Sequence, residues 1–194
     1  MTDPVIIVDY DPAWPARYAA EVERLIGLGS LIEHAGSTSV PGLAAKPVID
    51  IVIGVDDTAL LDAEAEVQAV PGEHTPIEPA GNAAHIALVQ RIIACDFTYR
   101  GVNGLPGRLF FFRHTANSAH VHVAARDSWM VHDQLAFRDW LRTHPDDLRA
   151  YEGLKRGLAE RFRNDRVAYT MAKSDFIRGI LLRAGGIGPW LRQA

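Results

Sequence analysis

The run PVIDIVIGV at residues 47–55 constrains the fold of this chain more than any other segment. It is apolar at nearly every position and rich in β-branched residues, which is typical of a central strand that is covered on both faces. Asp50 is the single carboxylate in this run. Because an unpaired carboxylate is costly to bury, the pattern predicts a specific partner for Asp50 as well as a strand.

Apolar residues at helical spacing account for much of the remaining chain. They predict a helix that begins near Asp11 and ends at a glycine, and two further helices at about 58–69 and 85–95. From about residue 128 almost to the end the pattern is again helical. We expect three helices in this last part, packed as a bundle.

Strand signals fall between these helices. Strands are expected at VIIV (5–8), at residues 31–36 and in the alternating segment AHVHVAA. The Asn-Gly and Pro-Gly pairs of VNGLPG predict a hairpin between FTYRG and RLFFFRH. The expected fold class is α+β, with a small mixed β-sheet flanked by helices at residues 1–126. A C-terminal helical bundle at residues 127–194 would pack on this core to form one compact unit.

Composition indicates a protein of the cytoplasm. The chain is 48% hydrophobic and 23% charged, with enough apolar material for a core. No apolar run approaches the roughly 18 residues of a membrane helix, and the start lacks the basic and then apolar pattern of a secretory signal. The single cysteine, Cys95, lies among apolar neighbours, which predicts a buried inert thiol. We therefore expect no membrane partner and no redox chemistry.

Charge is distributed unevenly along the chain. Residues 1–137 carry 8 Lys/Arg against 17 Asp/Glu, whereas residues 138–194 carry 12 against 7. A basic segment beside an acidic body suits an anionic small molecule such as a nucleotide, although a solvated helical face is a common cause of such runs. The basic residues are not interleaved with a set of exposed-looking aromatic residues and the sequence pI is about 6.0, which argues against extended nucleic acid as a partner.

The turn Gly36-Ser37-Thr38-Ser39 is a candidate phosphate site. Glycine at the end of a strand lets a ligand approach backbone N–H groups, and the three hydroxyl side chains add donors. Lys46 follows closely and could supply a positive charge. An ordinary tight turn uses the same residue types, so this interpretation depends on the neighbouring Asp50.

Three kinds of partner would stabilise Asp50 inside its strand: a metal ion, an arginine, or backbone donors at a strand end. A salt bridge to arginine needs no catalytic role. The spacing favours the metal, because the strand begins only a few residues after the Gly-Ser turn. Asp50 would then lie close to any phosphate held by that turn.

Four segments together resemble the GrpB family: HAGSTSVPGLAAKPVIDIVIGV, YRGVNGLPGRLFFF, AHVHV and YTMAKSDFIRGIL. The resemblance runs over most of the chain. Members of that family are similar to the DNA polymerase beta-like nucleotidyltransferase superfamily, and some carry this domain fused to dephospho-coenzyme A kinase. The resemblance therefore implies a nucleotidyltransferase-like fold and a nucleoside triphosphate as ligand.

In that superfamily a Gly-Ser turn holds nucleotide phosphates, and an Asp-x-Asp pair on the next strand binds a divalent metal. Carried over by position, the turn is Gly36 and Ser37 and the first carboxylate is Asp50. The second carboxylate position is Val52, so this chain departs from the pattern on which two-metal chemistry depends. One carboxylate can still anchor Mg²⁺ or Mn²⁺ that arrives with phosphates.

His120 and His122 are two apart in AHVHV and therefore point to the same face of one strand. We hypothesise that they converge with Asp50 on one metal or one phosphate, with His34 nearby. Imidazole ligands would bring Zn²⁺ into consideration beside Mg²⁺ and Mn²⁺. Alternatively, one histidine packs in the core and the other bonds a neighbour.

Further candidates come from a loop and from the C-terminal helices. Arg108 follows a turn and could bind phosphate, or lie on the surface. Tyr169 and Lys173 are four apart and are expected to share one face of the last helix, with Lys155 on the helix before it. The resemblance implies that such a lysine meets the triphosphate and such an aromatic lies near the base.

Two functions remain open at this point. The first is a nucleotidyltransferase-like enzyme that uses a nucleoside triphosphate and a divalent metal to modify a small acceptor, with Asp50 and His122 as catalytic residues. The second is a non-catalytic protein that binds a nucleotide or a coenzyme A-like phosphate ligand and has a degenerate metal site. Val52 favours the second, and the grouping of Asp50 with His120 and His122 favours the first.

Overall fold

Five strands form one mixed sheet in the computed structural model, which describes residues 4–61 and 76–192. The strands are β1 (Leu31–Ala35), β2 (Ile49–Val55), β3 (Thr98–Tyr99), β4 (Arg108–Arg113) and β5 (Ala119–Ala125). Their order across the sheet is β1-β2-β5-β4-β3. The neighbours β2 and β5 are parallel, and the other pairs are antiparallel. The α+β class and the small mixed sheet are confirmed.

Six α-helices surround this sheet within the described residues. They are α1 (Trp14–Leu25), α2 (Ala83–Ile93), α3 (Trp129–Thr143), α4 (Pro145–Arg161), α5 (Arg166–Met171) and α6 (Ser174–Arg183). Side-chain oxygens of Asn82, Ser128 and Asp165 accept backbone N–H groups at the starts of α2, α3 and α5, which explains where these helices begin. None of the helices described has both the length and the apolar composition needed to cross a bilayer.

One face of the sheet is apolar apart from Arg113 of β4, which pairs with Glu21 of α1, and His34 of β1, which stacks on Tyr18 of α1. Alternate residues of β2, β4 and β5 point to it and pack against α1 and α2. From the strands this cluster includes Ile49, Ile51, Ile53, Val55, Leu109, Phe111, Val121 and Val123. The helices contribute residues such as Trp14, Leu25 and Val89 to the same cluster. We call this the core face.

The opposite face of the sheet is mixed and is partly covered by α3. In the middle of β2 and toward the end of β5, Val52 and Ala124 pack with Ala35 and with Met130 and Val131 of α3. Toward the start of the same two strands this face carries Asp50 and His120, and His122 lies opposite Val52. The C-terminal helices pack on one another through Leu141, Tyr151 and Ile180. We call the face of the sheet that carries Asp50, His120 and His122 the site face.

The structure corrects two predictions. Residues 5–8 do not form a strand of the sheet: Val8 makes one isolated bridge with Ala45, and the N–H of Val5 donates to Arg163 O. This segment therefore ties a loop to the C-terminal helices. The expected three-helix bundle contains four helices, because the chain breaks between α5, which ends at Met171, and α6, which begins at Ser174.

The predictions for helices in the middle of the chain have different outcomes. The helix expected at about 85–95 is confirmed as α2. For the helix expected at about 58–69, residues Thr58–Leu61 form a short 3₁₀ turn, and the remainder of that prediction lies outside the described residues. The predicted hairpin is confirmed by the pairing of Thr98 and Tyr99 with β4.

Candidate functional site

Asp50, His120 and His122 come together on the site face because β2 and β5 are parallel neighbours. Their register pairs Asp50 with His120 and Val52 with His122. His120 Nδ1 lies 3.1 Å from Asp50 Oδ1, and His122 Nε2 lies 3.9 Å from the same oxygen. One nitrogen from each ring and one carboxylate oxygen all lie within 4.8 Å of one another. The structure therefore groups the three residues that the sequence pattern grouped.

The electrostatics of this cluster favour a charged carboxylate beside a neutral imidazole. Burial acts to raise the pKa of Asp50, but the hydrogen bond with His120 and the closeness of His122 lower it well below its ordinary value. Burial lowers the pKa of His122, against the opposing influence of Asp50. Both groups then carry lone pairs that can be offered to a cation.

The Gly-Ser turn lies directly against Asp50. Gly36 has a φ of 66°, a conformation that side chains with a Cβ rarely adopt. A Cβ added to Gly36 would lie 2.2 Å from Asp50 Oδ2, which is far inside van der Waals contact. Glycine is therefore required here for both its backbone angle and its lack of a side chain.

Two of the predicted phosphate-binding hydroxyl groups donate to backbone carbonyls, one inside the turn and one just before β2. Ser39 Oγ donates to Gly36 O at 2.6 Å, and Thr38 Oγ1 donates to Val48 O at 3.1 Å. Since the Thr38 proton is used, His34 Nε2 must donate to Thr38 Oγ1, which lies 3.0 Å away. Burial lowers the pKa of His34 to about 4, so this ring is neutral. These bonds fix the shape of the turn, and their role toward a phosphate stays a prediction.

All three lysines of the chain lie in this region. Lys46 and Lys173 both interact electrostatically with Asp50. Their Nζ atoms lie 5.7 Å and 4.4 Å from the centroid of the Tyr169 ring. Burial, and then repulsion from Lys46, lowers the pKa of Lys173 to about 8. Two ammonium groups that repel each other beside a single carboxylate form a site suited to an anion.

The contact between Tyr169 and Lys173 was predicted from a shared helix face, and that reason is wrong. Tyr169 belongs to α5, whereas Lys173 lies in the break that precedes α6. The two side chains meet because the chain turns between these helices. Their proximity is therefore a property of the break.

Lys155 forms a second layer of positive charge behind Lys173. It is only 2% exposed, its Nζ donates to Ala44 O, and it lies 4.8 Å from the Tyr151 ring centroid. Burial, and then repulsion from Lys173, lowers the pKa of Lys155 to about 7. Tyr151 packs with Val40 and Leu43, which follow the Gly-Ser turn. Tyr151 thus connects α4 to the segment after that turn, and no spacing in the sequence identified it.

Arg108 lies beside the cluster but is engaged with its own loop. Its Nη2 donates to Val102 O at 3.2 Å and to Asn103 O at 2.9 Å. Burial lowers the pKa of Arg108 to about 10, and its charge acts on His122. The guanidinium therefore holds the loop before β4 closed, and a direct bond to phosphate stays a prediction.

Aromatic rings enclose the two histidines from the β4 side. The Phe110 ring centroid lies 5.3 Å from that of His120 and 5.2 Å from that of His122. His114, which the sequence did not group with any other residue, has its ring 5.8 Å from His120. The only clue to His114 and Phe110 in the sequence was their place at the predicted hairpin, and the pairing of β4 with β5 then puts Phe110 opposite His122.

Position 52 cannot supply a second metal ligand in this chain. Val52 is 1% exposed and packs in the apolar cluster under α3 with Ala124 and Met130. The pair of carboxylates implied by the superfamily resemblance is therefore absent from β2. The donors that are present, one carboxylate and two imidazoles, fit a divalent ion that accepts nitrogen as well as oxygen ligands.

Comparison with known proteins identifies the family. Residues 4–71 and 77–183 match the family described as GrpB protein. A UPF0157 protein of Pseudomonas aeruginosa is 37% identical over 94% of this chain and 68% of its own length. A protein of Mycolicibacterium paratuberculosis named dephospho-CoA kinase is 32% identical over 93% of this chain, which spans 46% of that protein.

A solved structure agrees with this result. The crystal structure of the conserved protein GrpB from Enterococcus faecalis superimposes with a TM-score of 0.71 at 28% identity, covering 92% of this chain and 96% of that one. The family match extends over most of the sequence, including the Gly-Ser turn, the Asp50 strand and the two histidines. The chain therefore belongs to the GrpB protein family.

Proposed function

We propose that this protein is a nucleotidyltransferase-like enzyme that binds a nucleoside triphosphate together with a divalent metal and modifies a small acceptor. The observation that carries the proposal is the convergence of Asp50, His120 and His122 beside Gly36 and a group of lysines. A metal-ligand set and a cationic pocket that share one carboxylate suit a metal-bound polyphosphate.

The lysines and the metal-ligand set have separate tasks in this proposal. Lys46 and Lys173 bind phosphate oxygens, and the Tyr169 ring between the helices supports both ammonium groups. Asp50 orients the metal, which when bound neutralises phosphate charge and lowers the pKa of an acceptor hydroxyl. His122, kept neutral by burial, would offer its one lone pair either to that metal or to the acceptor proton. Catalysis would then depend mostly on positioning and on charge neutralisation.

A second candidate function is a non-catalytic protein that binds a nucleotide or a coenzyme A-like phosphate ligand. The burial of Val52 under α3 favours it, because the strand offers no second carboxylate for two-metal chemistry. The relative named dephospho-CoA kinase adds support for a ligand of this chemical class.

Thermal unfolding in the presence of candidate ligands tests both functions. Nucleoside triphosphates and coenzyme A precursors would each be added with Mg²⁺, Mn²⁺, Zn²⁺ or a chelator. A ligand at about 100 times its Kd stabilises by about 2.7 kcal/mol, which raises the Tm of a chain of this size by about 5–10 °C. A metal-dependent rise that Asp50→Asn abolishes supports the enzyme, and a rise that ignores metal supports the binder.

A matched pair of variants tests the phosphate pocket. Lys173→Met should remove most of the rise, whereas Arg149→Met, which removes an exposed positive charge from α4, should keep it. If no phosphate compound raises the Tm of the native protein, both candidate functions are wrong.

Chemical labelling gives an independent measurement of the same pocket. Reductive methylation with ¹³C-formaldehyde labels amines, and the amines of this chain are its three lysines and the α-amino group. The ¹³C signals of Lys46 and Lys173 should move when a triphosphate is added. Signals that stay unchanged at saturating ligand would place the phosphates elsewhere.

A further inference from the structure

We infer that the centre formed by Asp50, His120 and His122 is built for a first-row transition ion that accepts imidazole nitrogen, such as Zn²⁺ or Fe²⁺, in preference to Mg²⁺. This inference deepens the proposed function, because it specifies the class of metal at the same site. It rests on the donor atoms, their spacing and the packing around position 52.

The donor atoms are the first argument. Magnesium keeps an octahedron of oxygen ligands and usually takes its protein contacts from carboxylates. Two imidazoles with one carboxylate instead form the ligand set of catalytic zinc sites and of non-haem iron sites, which leave coordination positions open. Within the part of the chain that the structure describes, this is the one group of three such residues whose donor atoms converge.

The spacing of the donor atoms is the second argument. Ligands bound tetrahedrally to zinc at about 2.0–2.1 Å lie about 3.3 Å apart. The separations from Asp50 Oδ1 are 3.1 Å to His120 Nδ1 and 3.9 Å to His122 Nε2, which bracket that value. The three donor atoms lie within 4.8 Å of one another, so side-chain rotations that shorten the longest separation would bring all three to one ion.

Access to the cluster is the third argument. The side chains of Asp50, His120 and His122 are 28%, 18% and 14% exposed, so an ion and its remaining water ligands can enter. His122 Nε2 lies 3.9 Å from Asp50 Oδ1, which is beyond hydrogen-bond distance, so this nitrogen can turn toward an ion.

The packing around position 52 excludes the alternative ligand set. The register places His122 opposite Val52, the position at which the superfamily pattern has its second aspartate. Val52 lies in an apolar cluster below Met130 and Val131. Imidazoles from the neighbouring strand thus stand where an oxygen-rich magnesium site would need a carboxylate.

Metal titrations of the chelator-treated full chain, without nucleotide, test the inference. Calorimetry should show that Zn²⁺ binds at least about 100-fold more tightly than Mg²⁺. Co²⁺ should bind with a visible absorption spectrum of a nitrogen-containing site of low coordination number. Equal affinities for Mg²⁺ and Zn²⁺ would overturn the inference.

Histidine variants separate this centre from background binding by the other histidines of the chain. His120→Ala and His122→Ala should each weaken Zn²⁺ binding at least about 10-fold, whereas His132→Ala, which removes a half-exposed ring on α3, should leave it unchanged. His122→Gln fills the same space and serves if the alanine variant fails to fold. Zn²⁺ affinity that survives these changes at position 120 and position 122 contradicts the inference.

The inference and the proposed function can fail separately. Tight Zn²⁺ binding with no response to any phosphate compound would support the metal centre and contradict the binding of a nucleotide. A triphosphate response that depends on Asp50 and proceeds with Mg²⁺ alone, without preference for Zn²⁺, would retain the nucleotide site and reject the transition ion.

Discussion

The two faces of the central sheet differ in chemistry although they are made by the same strands. On β2, Ile51 points to the core face and is fully buried, whereas its neighbour Asp50 points to the site face and bonds His120. On β5 the same alternation separates Val121 from His120 and His122. The core face supplies most of the apolar packing that stabilises the sheet. The site face carries Asp50 and the two histidines, whose positions depend on the strand register that this packing stabilises. Function and stability are therefore separable at the level of single neighbouring residues.

The largest effect is expected at Val52, which lies in the apolar cluster under α3 and opposite His122. Val52→Asp would place a charge in the apolar cluster with Met130 and should lower the free energy of unfolding by about 4 kcal/mol. Denaturant unfolding measures the loss. Val52→Asn introduces a side chain of nearly the same shape as aspartate without its charge, so it should lower the free energy of unfolding by less.

The change at Val52 also tests the boundary between the two surfaces. If Val52→Asp is as stable as the native protein and binds Mg²⁺ more tightly, then position 52 belongs to the metal site. The assignment of Val52 to the apolar cluster under α3 would in that case be wrong.

The next largest effect separates the two faces directly. Ile51→Ala removes a fully buried side chain and should cost about 3 kcal/mol while leaving the Zn²⁺ affinity of the folded protein unchanged. Asp50→Asn should do the reverse, with a small change in stability and loss of metal binding. Chemical unfolding and calorimetry on both variants provide the comparison. An Ile51 variant that unfolds as the native protein does would contradict the assignment of the core face.

A smaller effect is expected at the Gly-Ser turn. Gly36→Ala should cost about 2 kcal/mol and displace the Asp50 carboxylate, because its Cβ would lie 2.2 Å from Oδ2. Gly42→Ala is the matched control, since Gly42 has a φ of 79° but no atom within 4 Å of the added Cβ. Both variants carry backbone strain, and Gly36→Ala alone should weaken metal binding. Equal metal affinities in the two variants would show that the close contact has no role.

The smallest effect concerns the buried charge of Lys155. Its pKa of about 7 in the folded protein lies below the ordinary lysine value, so the unfolded chain binds more protons between about pH 7 and pH 10. Stability should therefore rise from pH 7 to pH 9, by about 1–2 kcal/mol. The lowered pKa values of Lys46 and Lys173 act in the same direction.

Lys155→Met should make this pH dependence weaker. Urea unfolding at pH 7, 8 and 9 measures the slope for both proteins, and Arg149→Met serves as the exposed control. An unchanged slope in Lys155→Met would mean that the buried ammonium does not titrate in this range.

Period-2 patterns in the sequence predicted much of the sheet and part of the site. Alternation in AHVHVAA placed His120 and His122 on one face, and the apolar run around Asp50 predicted an interior strand. Alternation does not specify which strand lies next to which. The parallel register of residue 50 with residue 120 was therefore a hypothesis until the structure showed it.

Other parts of the site depend on packing that local patterns do not contain. Tyr151 packs with Val40 and Leu43 only because α4 lies against the segment after the Gly-Ser turn, and nothing in its helical spacing separates it from a core residue. The break before α6, which brings Lys173 to Tyr169, interrupts a run whose apolar period continues. Such contacts arise from tertiary structure, which overrides local signals.

The parallel pairing of β2 with β5 also affects the order of events in folding. Residues 50 and 120 are separated by 70 positions, and they meet only after a long loop has closed. Contacts of this kind form late and slow the search for the native state. An ion that bridges the two strands would bind only after that closure, so it should retard unfolding far more than it accelerates folding. The metal would in this way increase the kinetic stability of the folded sheet.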